Sequence, residues 1–172
     1  AMALAPDTLL NSRYRIEDVL GQGGMGSIYR AKDETLGIEV AVKENLYLTE
    51  EYLRQFQREA TILARVKHFS LPRVIDYFLI PNQGQYLVMD YIPGEDLRDR
   101  IERLGKVPER EIITIGAMIC DALDYLHRQE PPIIHRDIKP GNIKITPEGT
   151  IALVDFGLAK MMIENQQTTT GA

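Results

Sequence analysis

At 172 residues, 44% hydrophobic, 26% charged and 7% aromatic, the chain has the balance of a folded domain. A chain of this length buries roughly two-thirds of its unfolded surface and needs no disulfide framework. Twenty basic residues against 25 acidic ones leave a formal charge of -5, so no global positive field exists to gather nucleic acid or anionic lipid. An anionic ligand must therefore be held locally. The single cysteine, Cys120, falls in an apolar-periodic stretch and reads as a buried thiol, which points to a reducing compartment, the cytoplasm. The longest nearly unbroken apolar run, Ile112 to Cys120, is far short of the roughly 18 to 20 residues of a membrane span. Ala1-Met2-Ala3 lacks the charged-then-apolar order of a signal peptide and reads as a cloning remnant, so residues 1–12 are expected to be remnant and N-terminal extension.

In chain order, Arg13 to Leu20 alternates loosely, Gly21-Gln22-Gly23-Gly24-Met25-Gly26 interrupts it, and Ser27 to Lys32 resumes, which predicts a hairpin. Turn residues from Asp33 to Gly37 lead into a third strand over Ile38 to Lys43. From Thr49 the period becomes helical, with Leu53, Phe56, Ala60 and Leu63 on one side and Glu50 and Glu51 in the first turn, where the helix dipole favours acids. Val74 to Leu79 and Gln85 to Tyr91 form a second hairpin about Pro81-Asn82-Gln83-Gly84. Pro93-Gly94 marks a break. After it Leu97, Ile101 and Leu104 define a short helix closed by Gly105, and a longer helix beyond Pro108 carries the stripe Ile112, Ile115, Ile119, Leu123 and Leu126. Ile133-Ile134, then Ile143 to Ile145 and Ile151 to Val154 about Pro147-Glu148-Gly149, are short apolar segments. Glu164 to Ala172 is polar and Thr-rich, without a core signal.

Gly21-x-Gly23-x-x-Gly26 alone is weak, because glycines also mark tight turns. A dinucleotide fold needs a helix directly after the glycines, but Ser27-Ile28-Tyr29-Arg30 reads as strand, and no Gly-Lys-Ser/Thr follows to make a P-loop. A glycine hairpin lying over phosphates fits better, since a backbone without Cβ atoms brings its amides close to phosphate oxygens. Val40-Ala41-Val42-Lys43 puts a lysine on a strand otherwise built for burial. Glu59, between Phe56 and Leu63 on the apolar side of the helix, is its natural partner, because an unpaired carboxylate there is costly. His135-Arg136-Asp137-Ile138-Lys139-Pro140-Gly141-Asn142 and Asp155-Phe156-Gly157 follow in order.

With these elements the chain resembles the protein-kinase family over about residues 14 to 160, and its wording at Gly23-Gly24-Met25-Gly26 and Met89-Asp90-Tyr91-Ile92-Pro93-Gly94 is most similar to bacterial serine/threonine kinases of eukaryotic type. The resemblance implies an α+β fold. It expects a five-stranded antiparallel N-lobe sheet with one helix over 13–91, a partial, mostly helical C-lobe over 92–160, and the start of an activation segment over 161–172. It also implies ATP and Mg²⁺ as cofactors and a protein substrate phosphorylated on serine or threonine. In this reading Asp137 orients and deprotonates the acceptor hydroxyl, Lys139 neutralises the γ-phosphate, and Asn142 and Asp155 hold magnesium. Lys43 anchors the α- and β-phosphates and is positioned by Glu59. Gly21, Gly23 and Gly26 cover the phosphates. Adenine lies between Leu20, Ile28 and Ala41 above and Ile143 or Ile145 below, with Met89 as gatekeeper and the backbone of Asp90 and Ile92 on its edge. Asp96 or Asp99 reaches the ribose. His135 reads as a packed histidine supporting the loop and Phe156.

The family pattern continues past the glycine of Asp155-Phe156-Gly157, so the chain is expected to be truncated within the activation segment, with Thr168, Thr169 and Thr170 as candidate phosphoacceptors and Arg136 as a phosphate partner. Apolar faces left bare by truncation are expected to drive self-association, as a dimer or a domain swap. Two functions stand side by side: a kinase of reduced activity, and a nucleotide-binding, self-associating, noncatalytic interaction module. No nucleic-acid partner and no membrane span are expected.

Overall fold

The computed structural model describes residues 2–135 and 137–154, and the expectations resting on Arg136, Asp155-Phe156-Gly157 and residues 158–172 lie outside the described residues. The chain divides into two compact units. One runs through Arg65 and takes up Arg73–Tyr91, and the other joins Val66–Pro72 to the chain from Ile92 onward.

The first unit is an antiparallel sheet of β1 (Leu9–Leu10), β2 (Tyr14–Gly23), β3 (Gly26–Asp33), β4 (Ile38–Asn45), β5 (Val74–Ile80) and β6 (Gly84–Asp90) in the order β1-β2-β3-β4-β6-β5, with α1 (Glu50–Leu63) inserted after β4. Six strands replace the five expected. The extra one comes from the residues set aside as remnant and extension: Leu9 pairs with Arg15 and Leu10 with Tyr14, and Leu10 is buried in the core. A two-residue strand is too short to show a period of two, which is why its sequence is silent. Leu4 also contributes, its N–H donating to the Tyr29 hydroxyl at 2.9 Å.

Alternation along β4 separates the two faces of this sheet. Val40 and Val42 join Tyr14, Ile16, Tyr29 and Val88 in the core, whereas Ala41 and Lys43 are half-buried on the opposite face. On that opposite face Ile28 stands across from Lys43 and Lys43 from Leu87, while Ala41 stands across from Met89. Helix α1 packs on β5 and β6, with the Phe56 ring 6.2 Å from that of Tyr77 and the Gln85 amide donating to the Leu53 carbonyl at 3.0 Å.

Asp33 closes the β3–β4 end. Fully buried, it accepts two hydrogen bonds from Arg13 at 2.9 and 2.8 Å and the N–H groups of Thr35 and Leu36 at 2.9 and 3.2 Å. The Arg13 guanidinium is the main reason its carboxyl titrates below the ordinary value, and the two N–H groups add to the shift.

The second unit holds β7 (Glu95–Asp96), α2 (Leu97–Leu104), α3 (Glu109–His127), a 3-10 turn over Pro140–Asn142, and the hairpin of β8 (Ile143–Ile145) and β9 (Ile151–Leu153), whose sheet order is β7-β8-β9. Asp96 caps α2 by accepting the Asp99 N–H at 2.8 Å, and Gly105, at φ 70°, ends it. In α3 the buried line is Ile115, Ala122 and Leu126, while Ile112 and Ile113 are 43% and 64% exposed. Cys120, expected inside, is exposed: five residues after Ile115 it lies well around the helix from the buried line. Segment 66–72 docks on this helix, with the Lys67 N–H on the Tyr125 hydroxyl at 2.8 Å and His68 Nε2 2.8 Å from Asp121.

Replacing Asp33 by Asn lowers the unfolding free energy by about 2 kcal/mol, the scale of buried hydrogen bonds to a charged group. In the native chain the contribution is complete above the ordinary carboxyl value of 3.8 and is lost as the pH falls from there through the lower folded value. Urea titrations of both proteins between about pH 2 and pH 7 are therefore predicted to converge at the acid end.

Candidate active site

Each unit carries part of the expected site. In the first, β2 and β3 meet with Gly23 opposite Gly26 about a tight turn at Gly24-Met25. A Cβ placed on Gly21 or Gly24 meets nothing within 4 Å, so the backbone there is open to an approaching group, whereas Gly26, at φ 151°, is hemmed in: its Cβ would lie 2.4 Å from the Glu44 carbonyl oxygen. Leu20, at an irregularity of β2, is 49% exposed. Ile28, Ala41, Lys43 and Met89 share the face described above, so pairing register brings together four residues that sequence separates by up to 61 positions (89 minus 28). Glu59 is half-buried on α1 beside the inward line of Phe56, Ala60 and Leu63. The N–H of Asp90 is committed to the Arg73 carbonyl at 2.9 Å and its carboxylate to the Arg73 N–H at 2.8 Å, while Ile92 follows, half-buried, in the second unit.

In the second unit the loop from His135 to Asn142 is assembled on buried supports. His135 is 1% exposed. Its Nδ1 lies 3.2 Å from the Asp137 N–H, which can only donate, so Nδ1 accepts and the ring proton sits on Nε2, which donates to the Val154 carbonyl at 3.2 Å. Asn142 is buried, and its Nδ2 donates to both the carbonyl and the Oδ2 of Asp137 at 2.9 Å each. Lys139 Nζ is 3.6 Å from the same Oδ2. The backbone closes the loop, with the Asn142 N–H on the Lys139 carbonyl and the Val154 N–H on the Asn142 carbonyl, both at 2.9 Å. Three expected residues, Asp137, Lys139 and Asn142, are thus brought together. Ile143 is buried and Ile145 half-buried on β8. Of the two ribose candidates, Asp96 gives one carboxylate oxygen to capping α2.

A metal-holding role for Asn142 fits this geometry. With Nδ2 turned to Asp137, the other amide atom, Oδ1, is a hard oxygen donor of the kind magnesium takes. Its expected companion, Asp155, lies outside the described residues.

Residues 14–172 match the model of the protein kinase domain. This chain belongs to the protein kinase family. It is 37% identical over 166 residues to a probable serine/threonine-protein kinase of Clostridium acetobutylicum, covering 95% of this chain and 25% of that protein. It is 35% identical over 169 residues to the serine/threonine-protein kinase PknA of Mycobacterium tuberculosis, covering 94% and 39% respectively. The solved structure of PpkA-294 in its apo form superposes with a TM-score of 0.74 at 27% identity, over 92% of this chain and 63% of that one. The chain thus spans between a quarter and two-fifths of these two curated relatives. The sheet with one helix and the partly helical second unit are those of a protein-kinase-like α+β fold, and among the described residues no helix is long and apolar enough to cross a membrane.

Sequence reasoning passed over Glu44. The signal was present: it has the same parity on β4 as Val40 and Val42, so it was due to point into the core.

Replacing His135 by Phe keeps the volume but orphans the Asp137 N–H and one partner of the Val154 carbonyl. A loss of about 2 kcal/mol in urea unfolding is expected, in the range for buried polar groups left unsatisfied.

Proposed function

We propose that the protein transfers the γ-phosphoryl group of ATP to serine or threonine hydroxyls of a protein substrate. The observation that carries this reading is the arrangement of Asp137, with Asn142 Nδ2 at 2.9 Å and Lys139 Nζ at 3.6 Å, in a member of the protein kinase family.

Phosphoryl transfer demands positioning and charge compensation more than covalent chemistry. Asp137, held by Asn142, accepts the proton of the acceptor hydroxyl as that oxygen bonds to phosphorus and the bond from phosphorus to the leaving oxygen of ADP breaks. Lys139 compensates the charge on the transferred group. Lys43, oriented by Glu59, holds the α- and β-phosphates, and the open backbone at Gly21 and Gly24 admits them. Asn142 and Asp155 are the magnesium ligands, and the bound ion supplies charge neutralisation of the phosphates. In the first unit the apolar face of Ile28, Ala41 and Met89, with Leu20 and the backbone of Asp90, contacts adenine, and in the second unit Ile143 and the backbone of Ile92 are its contacts. The need for ATP supports a cytoplasmic location. Ile112 and Ile113, exposed on α3, support self-association, read as a doubled mass in light scattering at micromolar concentration.

With γ-labelled ATP and a generic protein acceptor, the native chain is expected to incorporate label, in part on its own Thr168 to Thr170. Asp137→Asn is expected to reduce incorporation about a thousandfold, the middle of the range for loss of a general base, and Lys43→Met, which removes a phosphate anchor, at least about a hundredfold. ATP binding with transfer no greater than that of Asp137→Asn selects the noncatalytic interaction module instead.

A further inference from the structure

Glu44 is a carboxylate that the proposed chemistry does not use, buried on the core side of the sheet. It is 4% exposed and shares the core-facing side of β4 with Val40 and Val42. Its oxygens are met from two other strands: Oε1 by the Tyr29 hydroxyl at 3.0 Å and the Ser27 N–H at 3.3 Å, and Oε2 by the Tyr86 hydroxyl at 3.1 Å. The Tyr29 oxygen accepts the Leu4 N–H and the Tyr86 oxygen accepts the Gln83 amide, both at 2.9 Å, so each hydroxyl proton is left to point at Glu44. A carboxylate this buried is expensive, and an apolar side chain would fill the same space more cheaply.

What it holds is one limb of the glycine turn. Ser27 is the residue after Gly26, and Gly26 lies so close to β4 that a Cβ would come within 2.4 Å of the Glu44 carbonyl oxygen. The Met25 carbonyl accepts the Leu46 N–H at 2.8 Å. The other limb, on β2, is paired to β3 alone, with Gly21 across from Ile28 and Gly23 across from Gly26, and Cβ positions on Gly21 and Gly24 meet nothing within 4 Å. The turn is therefore fastened to β4 along Met25-Gly26-Ser27 by residues 44–46. We propose that Glu44 is a positioning residue for phosphate binding: its carboxylate fixes Ser27, and through it the backbone that the ATP reading above lays over the triphosphate, an inference that rests on that reading.

The test is calorimetric binding of magnesium ATP and of adenosine to the full chain, with Michaelis constants for ATP and for the protein acceptor. Glu44→Leu removes the acceptors while keeping bulk. It is expected to weaken ATP binding about tenfold, the effect of a charged hydrogen-bond anchor lost, with adenosine affinity unchanged. The Michaelis constant for ATP rises and that for the acceptor stays put. Glu44→Gln, whose Oε1 still accepts from Ser27 and Tyr29, restores most of the ATP affinity. Should the Leu variant not fold, Tyr86→Phe, which keeps its ring stacked 5.2 Å from that of Phe78, is expected to weaken ATP about threefold and spare adenosine, as one hydrogen bond removed. Native ATP affinity in a folded Glu44→Leu or, failing that, in Tyr86→Phe overturns the positioning role, as does an equal loss for ATP and adenosine. A native chain that binds neither ligand overturns the ATP reading and this inference together.

Discussion

The alternation of strand β4 is the constraint on which the first unit depends. Because successive side chains point to opposite faces, the same eight residues put Val40, Val42 and Glu44 into the core and Ala41 and Lys43 onto the other side. A slip of one residue would exchange the two sets, burying a lysine among Tyr14, Tyr29 and Val88 and exposing two valines. Register with β3 and β6 then carries the assignment outward, so that Ile28 and Met89 fall beside Lys43 and Ala41 without further specification. The face proposed for the nucleotide is thus the reverse side of a hydrophobic core.

The loop from His135 to Asn142 in the second unit is specified differently. It has no ladder of its own, and its backbone groups are satisfied one by one: His135 bridges Asp137 to Val154, and Asn142 bridges back to Asp137 and forward to Val154. Such a loop keeps its shape because leaving any one of these buried groups unpaired costs more than the loop gains by moving. Short spacing lets it work, since Asp137 and Asn142 are five residues apart and Asn142 directly precedes β8.

These two modes explain how much was legible in the sequence. Strands long enough to show their period, the helical spacing in α1 and the turn residues at Pro81 to Gly84 were readable because each is a local pattern with a local cause, whereas the loop from His135 to Asn142 was readable through its resemblance to a family. Leu9-Leu10 was not, being two residues of which only Leu10 is buried, by its pairing with Tyr14 and the sheet behind it. Cys120 was misjudged because an apolar run along α3 does not say which side of the helix faces inward; Ala122, small and unremarkable in sequence, holds the buried line instead. Glu44 was overlooked because its neighbour Lys43 drew the chemical reading, although parity on the strand was enough to mark it as a charge in the core.

Asp33 and Glu44 show what that costs and how it is met. Both are buried acids on this sheet, Asp33 near the turn joining β3 to β4 and Glu44 near the opposite end of the same pair. Asp33 is matched by a guanidinium in a two-pronged contact, which lowers its carboxyl pKa and gives the turn a purely structural clamp. Glu44 is met by hydroxyl and amide protons, and burial, with the adjacent carboxylate, pushes the Tyr29 and Tyr86 phenols up. An arginine would have satisfied Glu44 as well, but its long fork would have to occupy the space that Tyr29 and Tyr86 fill with core-packed rings. Hydroxyls on aromatic rings let one acid be both neutral to the packing of the core and directional toward Ser27. That combination is what a turn of glycines, which brings no side chains of its own to the sheet, requires from its neighbour.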